Sequence, residues 1–409
     1  MKIWMKYLLG IILGVAAAFI LPFSSPQFSA GLNFATELFL RLNSYILFPL
    51  LFSSACISAF RLAESKIFLK TSFWTFFVII VSSLILTFTG LIAILFIKLP
   101  RIPISIEKLS AVTVLDLGSI VKQIFPYSIF SAFCENFFLF PVFLFAVIFG
   151  IACSLDTTDS RPVITLIDSL SKIFYKIMTF FVEVFSIGIL ILSVSWTIQF
   201  RSILAQGIFT PLIFILLGCL LFISLIVYPM ILYFICHDPR PYRVLYASLA
   251  SLFTAFISGN SNAVIPLLIQ HSKESLGEQR RITAFTIPLF SIFARGGSAL
   301  VTVVSFVIIW RSYSSLNITL LDLIWLSTIS LALSFILGNM PSGGAIFSIT
   351  ILCTMYSRGF ETGYLLLRPA TLILGSFAAA FDAVTAIFGS YFIAVKTKQI
   401  RLKELSSFI

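Results

Sequence analysis

Long stretches without a charged side chain are the feature that most restricts what this chain can fold into. Residues 72–97 and 211–236 contain no Asp, Glu, Lys or Arg. An α-helix rises about 1.5 Å per residue, so about 20 residues cross the roughly 30 Å hydrocarbon core of a bilayer. Both stretches exceed that length. The sequence therefore predicts helices that span a membrane.

The remaining composition also indicates a polytopic membrane protein. Charged residues make up 11% of the chain, whereas about a quarter of the residues in soluble domains are charged. The net charge of +11 is spread over short connections between apolar runs, without the basic face of a nucleic-acid-binding protein. The six cysteines form no CxxC pair and are interpreted as small buried hydrophobic residues. No nucleophile–base set, metal cluster or phosphate loop indicates an enzyme or a cofactor.

Eight segments are predicted to span the membrane, and the more polar region 111–136 is predicted to form broken or tilted pieces. The eight are 7–21, 34–60, 72–97, 137–153, 173–198, 211–236, 284–310 and 364–395. The first segment has the alternative of a signal peptide, because Lys2 and Lys6 precede its apolar run. A spanning helix is favoured because the run continues past Ala18 and the chain behind it is polytopic.

The positions of Lys and Arg predict which side each connection faces. If the N-terminus lies inside and the spans alternate, 17 of these residues fall in inside segments and 8 in outside segments. Cytoplasmic connections are the ones enriched in Lys and Arg. The prediction is a protein of the cell membrane with both termini in the cytoplasm.

A polar interruption, ISGNSNAVIP at 257–266, lies inside one of the apolar regions. The apolar arms on either side, Leu245–Ile257 and Val264–Gln270, are each too short to cross the bilayer. Arg243 before the arms and Lys273 after them both belong to the inside set. We expect a re-entrant hairpin, because broken backbone survives at membrane depth only inside protein or along a wet cavity.

A second interruption, GNMPSGGAIF at 338–347, is flanked by residues of the outside set, Arg311 and Arg358. It predicts a second hairpin that enters from the opposite side, which makes an inverted repeat. The alternative is that Leu320–Leu337 simply spans, but Asp322 and several hydroxyl residues weigh against it. Paired Gly- and Pro-interrupted segments are the best sequence pointer to the substrate site of a transporter.

Four stretches of the chain resemble the dicarboxylate/amino acid:cation symporter family, the glutamate-transporter-like elevator transporters. They are LFPLLFSSACISAFRLAESK (47–66), TAFISGNSNAVIP (254–266), FTIPLFSIFARGGSAL (285–300) and GNMPSGGAI (338–346). The resemblance implies an all-α polytopic fold of eight transmembrane helices plus two re-entrant hairpins, assembled as a homotrimer. It also implies transport of a small anionic or zwitterionic solute, with Na⁺ or H⁺ as the coupling ion and no other cofactor.

The resemblance divides the single membrane domain, residues 1–409, into two parts. A predicted scaffold comprises residues 5–60 and 111–198, and a predicted transport unit comprises residues 71–98 and 211–396. The hairpins, about 245–275 and 320–357, belong to the transport unit and act as gates. Substrate crosses as this unit slides along the scaffold, which is the elevator form of alternating access.

The resemblance also assigns substrate-binding residues. Ser261 matches the hairpin serine that contacts a substrate carboxylate, and Asn262 follows it. Gly343 and Gly344 match the second tip, whose backbone amides face the substrate, and Ser298 lies in the unwound seventh helix. Glycine lets a backbone approach a ligand closely, so the residue types fit that role.

Departures from the family pattern concern the cation sites and the last helix. The Asn and Asp of the family's Asn-Met-Asp-Gly-Thr motif are replaced by Ala294 and Gly296. A cation there would depend on backbone carbonyls, and Ile292, Phe293 and Ala294 are the candidates. In the last helix the family's arginine, asparagine and final aspartate are missing, and Asp382 stands near the aspartate that holds a substrate ammonium.

Arg295 stands where the family has methionine. An ionised side chain at membrane depth usually faces the protein interior and has a partner. We expect Arg295 to pair with Asp382 or an anionic substrate, or to replace the charge of a bound cation. The alternative is a side chain that reaches into a cavity or closes an inactive site.

The sequence thus predicts a symporter for a carboxylate-bearing solute such as glutamate, aspartate or a dicarboxylate. The alternative is a diverged scaffold without transport activity, or an anion channel of the same fold. The solute, the ion and the stoichiometry stay open.

Overall fold

The computed structural model describes residues 2–20, 26–97, 118, 127–128, 133, 139–313, 318–337, 344–356, 360–401, 403 and 408. Within these residues the chain is helical, and its only extended pairing is an isolated antiparallel bridge between Glu278 and Ile400. The helices are α1 Ile3–Ile20, α2 Pro26–Tyr45, α3 Leu47–Glu64, α4 Phe68–Phe96, α5 Leu139–Leu155, α6 Thr157–Ala205, α7 Thr210–Phe222, α8 Tyr228–Cys236, α9 Tyr242–Ser258, α10 Ile265–Glu274, α11 Arg280–Phe293, α12 Gly296–Tyr313, α13 Leu320–Ile336, α14 Gly344–Tyr356 and α15 Thr371–Lys396.

Shorter helical turns connect several of these helices. A π-helical turn, Ile223–Val227, joins α7 to α8 without a break. A 3₁₀ turn, Asn262–Val264, lies between α9 and α10, and a longer 3₁₀ segment, Gly363–Ala370, leads into α15. The two 3₁₀ turns mark places where the regular helix is interrupted.

Seven helical segments in the described part of the chain are long and apolar enough to cross a membrane. They are Ile3–Ile20, Gln27–Glu64, Phe68–Phe96, Thr157–Ala205, Thr210–Cys236, Arg280–Tyr313 and Gly363–Lys396. The eighth predicted span, 137–153, coincides with α5, which has 17 residues and falls in the class of shorter apolar helices. The count of eight spans therefore stays a prediction.

The predicted span 34–60 is divided into two helices. α2 ends at Tyr45 and α3 begins at Leu47. Pro49 has no N–H group to donate to the carbonyl of Tyr45, four residues earlier, so the helical ladder is interrupted there. The predicted span 173–198, by contrast, is only the middle of α6, which has 49 residues.

α11, α12 and α15 form the centre of the structure. In the most apolar 18-residue stretch of Arg280–Tyr313, 94% of the residues are buried. The corresponding share is 89% in Gly363–Lys396 and 28% in α1. α15 contacts α9, α11 and α12, and α4 packs against α12. α3 packs on α5 and also on α11, and α1 packs on α6. Polar side chains on the central helices are therefore shielded by several layers of helix.

Basic residues that the charge count assigns to the same side lie at the same end of the structure. Asp168 on α6 forms ion pairs with Arg61 (3.1 Å), Lys172 (2.7 Å) and Arg280 (3.7 Å). Nearby, the segment after α15 pairs with the connection before α11, where the Gln279 amide donates to the Gln399 carbonyl at 3.0 Å. The side of the membrane that this end faces stays a prediction.

Candidate functional site

The first interruption forms a compact tip between α9 and α10, which we call the first tip (residues 259–264). α9 ends at Gly259, whose φ of +61° lies in the left-handed region that glycine adopts without strain. The side chain of Asn260 accepts a hydrogen bond from the amide of Asn262 at 2.9 Å. Pro266 is the second residue of α10, where its missing N–H costs no helical bond.

A second break separates α11 from α12 at Ala294 and Arg295. The Ala294 amide still donates to the Phe290 carbonyl at 2.8 Å, but the backbone then leaves the helix at ψ +60°. α12 starts at Gly296, and the Ala299 amide donates to the Arg295 carbonyl at 3.1 Å. The break therefore presents the C-terminal end of one helix and the N-terminal end of the next at the same level.

Arg295 in this break connects three elements. Its Nη1 lies 3.5 Å from Oδ2 of Asp382 on α15, and both side chains are more than nine-tenths buried. Its Nη2 donates a hydrogen bond to Oδ1 of Asn262 on the first tip at 3.3 Å. The other carboxylate oxygen of Asp382 accepts from the Gly297 amide at 2.9 Å. The guanidinium thus joins the first tip, the helix break and the last helix.

Gly296 and Gly297 allow α12 to approach its neighbours. A Cβ atom at position 297 would lie 2.5 Å from the Ala378 carbonyl oxygen and 2.7 Å from Oδ1 of Asp382. At position 296 it would lie 2.8 Å from the Cα of Ser83 on α4. No side chain fits at 296 unless α4 moves. The close packing against α4 thus leaves no room at position 296 for the aspartate that the family has there.

The second interruption is described only at its C-terminal end. Residues 338–343 lie outside the described residues, so the prediction for Gly343 remains untested. Gly344 begins α14, and a Cβ atom there would lie 3.8 Å from the hydroxyl oxygen of Ser298. Gly344 is therefore adjacent to Ser298 on α12, which is itself buried.

Two helix N-termini lie at these residues: α12 begins next to Arg295, and α14 begins next to Ser298, while the first tip reaches Arg295 through Asn262. The first amides of a helix have no intrahelical acceptor and carry partial positive charge, which favours an anion. Ser261 on the first tip is 4% exposed, and its hydroxyl has no hydrogen-bond partner among the described residues. These groups are suited to binding a carboxylate.

The candidate cation ligands lie on the other side of the break. Ile292 and Phe293 end α11 and Ala294 follows them, at a helix end whose last carbonyls have no following amide to accept from. Oδ2 of Asp382 has no hydrogen-bond partner among the described residues, although it faces Arg295. Oxygen ligands for a hard cation are thus present, but Arg295 already supplies a positive charge beside them.

Two contacts at this site have no signal in the sequence. Asn43 on α2 donates from Nδ2 to the carbonyl of Ala263 on the first tip at 2.6 Å. Trp196 on α6 donates from Nε1 to Oγ of Ser376 on α15 at 2.9 Å. Each contact joins the predicted scaffold to the predicted transport unit, and the partners are 220 and 180 residues apart. Only the tertiary structure reveals them.

Comparison with known proteins gives a family match over nearly the whole chain. The family model described as the sodium:dicarboxylate symporter family matches residues 3–396. This range contains the first tip, the helix break with Arg295 and the whole of α15.

Individual relatives are similar at a lower level of identity. A protein of Caenorhabditis elegans described as a sodium-dependent excitatory amino acid transporter, glt-3, is 24% identical over 381 residues, which are 81% of this chain and 71% of that protein. The neutral amino acid transporter B(0) of Bos taurus is 25% identical over 379 residues, covering 83% of this chain and 68% of the relative. The Mus musculus protein of the same name is 27% identical over 224 residues, covering 53% of this chain and 39% of the relative.

Proposed function

The chain belongs to the sodium:dicarboxylate symporter family, and we propose that it is a secondary transporter of a small carboxylate-bearing solute, an amino acid or a dicarboxylate. The observation that carries this proposal is the meeting of the first tip, the helix break and the start of α14 around Arg295 and Ser298. Relatives described as transporters of excitatory and of neutral amino acids support the same solute class.

We propose the elevator mechanism, with eight spans and two re-entrant hairpins. α9 and α10 have 17 and 10 residues, α13 and α14 have 17 and 13, and each is shorter than the roughly 20 residues of a full crossing. The substrate groups belong to the first tip, α12, α14 and α15, which are all parts of the predicted transport unit. If that unit moves as one body along the predicted scaffold, the site moves with it.

The substrate carboxylate is proposed to bind at the helix N-termini. The hydroxyl of Ser261 is buried without a partner in the described part of the chain, and the first amides of α14 next to Ser298 have no helical acceptor. Asn262 and Asp382 complete the site through their contacts with Arg295. An ammonium group of an amino acid would then approach Asp382, whose Oδ2 accepts no hydrogen bond from the residues that the structure describes.

We propose that Arg295 replaces a coupling cation of the family. A guanidinium is always charged in proteins, and here it faces a buried aspartate that otherwise would need a bound cation. Position 296 has no room for an aspartate side chain that would bind sodium. We therefore expect transport to persist without a sodium gradient, with the carbonyls of Ile292, Phe293 and Ala294 as the remaining ligands if sodium is used.

The test uses purified protein in liposomes with labelled aspartate, glutamate, C4-dicarboxylates and small neutral amino acids. Each solute is offered under an inward sodium gradient, a proton gradient, and neither. Saturable uptake of at least one solute is the expected result, and we expect it without sodium. Ser261→Ala should weaken solute binding by about ten- to a hundredfold, because a hydrogen bond to a charged group contributes about 1.5–3 kcal/mol.

Ser202→Ala is the matched control, since Ser202 is exposed near the C-terminal end of α6 and, within the described residues, its hydroxyl bonds only the carbonyl of Gln199. Uptake that requires sodium would contradict the role given to Arg295 but not the transport activity. An electrical current without saturable flux, or no flux of any solute, would overturn the transporter proposal.

A further inference from the structure

Glu278 is a buried carboxyl group that the proposed transport mechanism does not use. It lies in the connection between α10 and α11, outside the spanning segments, and is 3% exposed. Its surroundings are hydroxyl groups: Oε2 accepts from Thr283 on α11 at 3.1 Å and shares a hydrogen bond of 2.5 Å with the hydroxyl of Ser390 on α15. Oε1 has no hydrogen-bond partner among the described residues.

A count of protons shows which form of Glu278 fits this geometry. Thr286 donates to the Ile282 carbonyl at 3.0 Å, Thr286 and Ser390 share a hydrogen bond of 2.8 Å, and Ser390 bonds Glu278. Each bond needs its own proton, and the two hydroxyls supply only two. All three bonds form together only if Glu278 carries the third proton.

The ionised form is also accommodated, but less completely. If Thr286 turns its proton toward Ser390, the direction of the chain reverses and Ser390 donates to a charged carboxylate. The bond from Thr286 to Ile282 is then lost, and Oε1 becomes a buried charged oxygen without a donor. Leaving such a group unsatisfied is costly, so a proton on Glu278 is favoured in this conformation.

The charged groups on the elements packed around Glu278 are directed elsewhere or exposed. Burial lowers the pKa of His271 to about 4, so its imidazole is neutral. The other charged side chains each have another partner. Arg61 and Arg280 pair with Asp168, and Arg281 bonds the side chains of Gln279 and Gln399. Lys273 lies over the ring of Tyr175, whose hydroxyl donates to Glu274, while Lys396 and Lys403 donate to the carbonyls of Ile235 and Glu274. Glu64, Lys398 and Arg401 are exposed.

Because no cation among the described residues faces Glu278, burial dominates at this carboxyl group. Burial raises the pKa of Glu278 to about 7, and the hydroxyls of Ser390, Thr283 and Ser272 offset only part of that rise. Ser272 is close enough to lower the pKa, but its hydroxyl makes no hydrogen bond of good geometry. The group therefore changes its charge in the physiological pH range.

The segment after α15 closes this site. Gln279 donates from its amide to the Gln399 carbonyl at 3.0 Å, and Arg401 donates from its amide to the Gly277 carbonyl at 2.9 Å. These two bonds hold Ile400 opposite Glu278 in the isolated bridge. Opening this short pairing, rather than unfolding a helix, would let water and protons reach the carboxyl group.

We propose that Glu278 is a proton-binding site which controls transport according to the pH at this end of the molecule. α10, α11 and α15 meet at Glu278, and α11 leads directly to the break that holds Arg295. Loss of the proton puts an uncompensated negative charge at this junction and loosens it. The proton-binding site stands on the geometry alone, and its effect on transport rests on the proposed function.

The proton site makes a signed prediction for stability. A carboxyl group whose pKa rises from 4.5 to about 7 on folding stabilises the fold fully below pH 4.5 and loses that contribution as the pH rises through 7. The melting temperature in detergent should therefore fall by several degrees between pH 5 and pH 8. Glu278→Gln, which keeps the shape and removes the titration, should abolish this dependence.

Infrared difference spectra between pH 5 and pH 8 give a direct readout. The wild-type protein should show the band of a protonated buried carboxylic acid at pH 5, and Glu278→Gln should lack it. Glu64→Gln, an exposed carboxyl substitution at the same end, is the matched control and should leave both band and melting curve unchanged. A Gln variant that keeps the wild-type band and the wild-type pH dependence would overturn the proton site.

The transport arm uses the same liposomes with the pH changed equally on both sides. A group of pKa about 7 goes from mostly protonated at pH 6 to mostly ionised at pH 8, so the uptake rate should fall about tenfold. Glu278→Gln should transport at the pH 6 rate throughout. An unchanged pH profile in that variant would overturn the control of transport. Absence of any wild-type uptake would instead contradict the proposed function, while the infrared result still decides the proton site.

Discussion

Gly297 illustrates, at the scale of one residue, why the helix break has its particular sequence. The Cβ atom of an alanine there would meet the Ala378 carbonyl and the Cβ of Phe381, neither of which is the end of a flexible side chain. In sequence, Gly297 matches the glycine of the family's Asn-Met-Asp-Gly-Thr motif. The reason for it, contact with a helix about eighty residues later, is visible only in the packing.

Gly297→Ala should destabilise the protein by about 1–3 kcal/mol, the usual cost of overpacking. Gly218→Ala is the matched control, since Gly218 lies within α7 and a Cβ atom there has no heavy atom within 4 Å. The control should be neutral or slightly stabilising, because alanine favours a helix by about 0.5–1 kcal/mol over glycine. Melting temperatures in detergent compare the two, and equal values would contradict the packing argument.

The pair of Arg295 and Asp382 predicts a non-additive mutational response. Arg295→Met leaves a buried carboxylate without its cation, and Asp382→Asn leaves a buried guanidinium without its anion. Removing one partner of such a pair typically costs about 3–5 kcal/mol. The double variant has no unpaired charge and should be more stable than either single variant.

A double-mutant cycle on melting temperature measures this coupling. Losses that simply add would show that the two charges do not interact, and the role proposed for Arg295 as a built-in cation would then lose its basis. Transport assays on the same four proteins would separate a structural from a functional contribution of the pair.

At the scale of the elements, the arrangement of helices explains how one part could slide on another. α6 carries Trp196, whose ring stacks on Phe200 with centroids 4.4 Å apart and contacts Phe256 of α9 at 5.1 Å. Its N–H bonds Ser376 of α15. The aromatic contact at Trp196 includes this one hydrogen bond, and elsewhere the two parts are joined by the bond from Asn43 to Ala263 and the ion pair of Asp168 with Arg280.

Trp196→Phe should keep the ring contacts and lose that hydrogen bond. A net loss of about 1 kcal/mol shifts the equilibrium between this arrangement and any other by about fivefold. Spin labels at Leu166 on α6 and Lys398 after α15, both exposed, report the distance between the two parts in a cysteine-free background. A broader or shifted distance distribution is expected.

Trp4→Phe is the control for this experiment. Trp4 on α1 also contacts the hairpin arm, with its ring 5.7 Å from that of Tyr246, but its N–H has no hydrogen-bond partner among the described residues. Replacing it removes no bond between the two parts. A shift equal to that of Trp196→Phe would show that ring size, and not the hydrogen bond, holds the arrangement.

At the scale of the whole molecule, the outer surface is apolar on many helices. Phe34 on α2 and Phe180 on α6 are 69% and 64% exposed. Many large hydrophobic side chains on α1, α4 and α7 are exposed as well. Lipid and a second copy of the chain both suit such a surface. The resemblance of the sequence to elevator transporters favours contacts between copies through the predicted scaffold.

We expect three copies in the assembled protein. Native mass spectrometry from detergent should give a complex of three times the 45.5 kDa of the chain. A single-copy mass under conditions that preserve uptake activity would show that the trimer is dispensable.

The class of protein, most helices and the places where they break were accessible from the sequence, because hydrocarbon penalises every exposed polar group and so makes each interruption conspicuous. The first tip is conspicuous in this way, the second tip stays a prediction, and the break at Arg295 was implied only by the resemblance to the family. The prediction of one helix over 34–60 was wrong, because it followed the length of the apolar run. The missing N–H of Pro49, which interrupts the hydrogen bonds of the helix, was not taken into account.

Which residues meet was decided only by the tertiary structure. Asn43 and Ala263 are 220 residues apart, and Glu278 and Ser390 are 112 apart. Apolar periodicity identifies a buried face but not the helix that covers it, because one hydrocarbon surface packs almost as well as another. The pairing of Arg295 with Asp382 and the burial of Glu278 both depend on which helices become neighbours. The chemistry of both sites therefore depends on the tertiary structure.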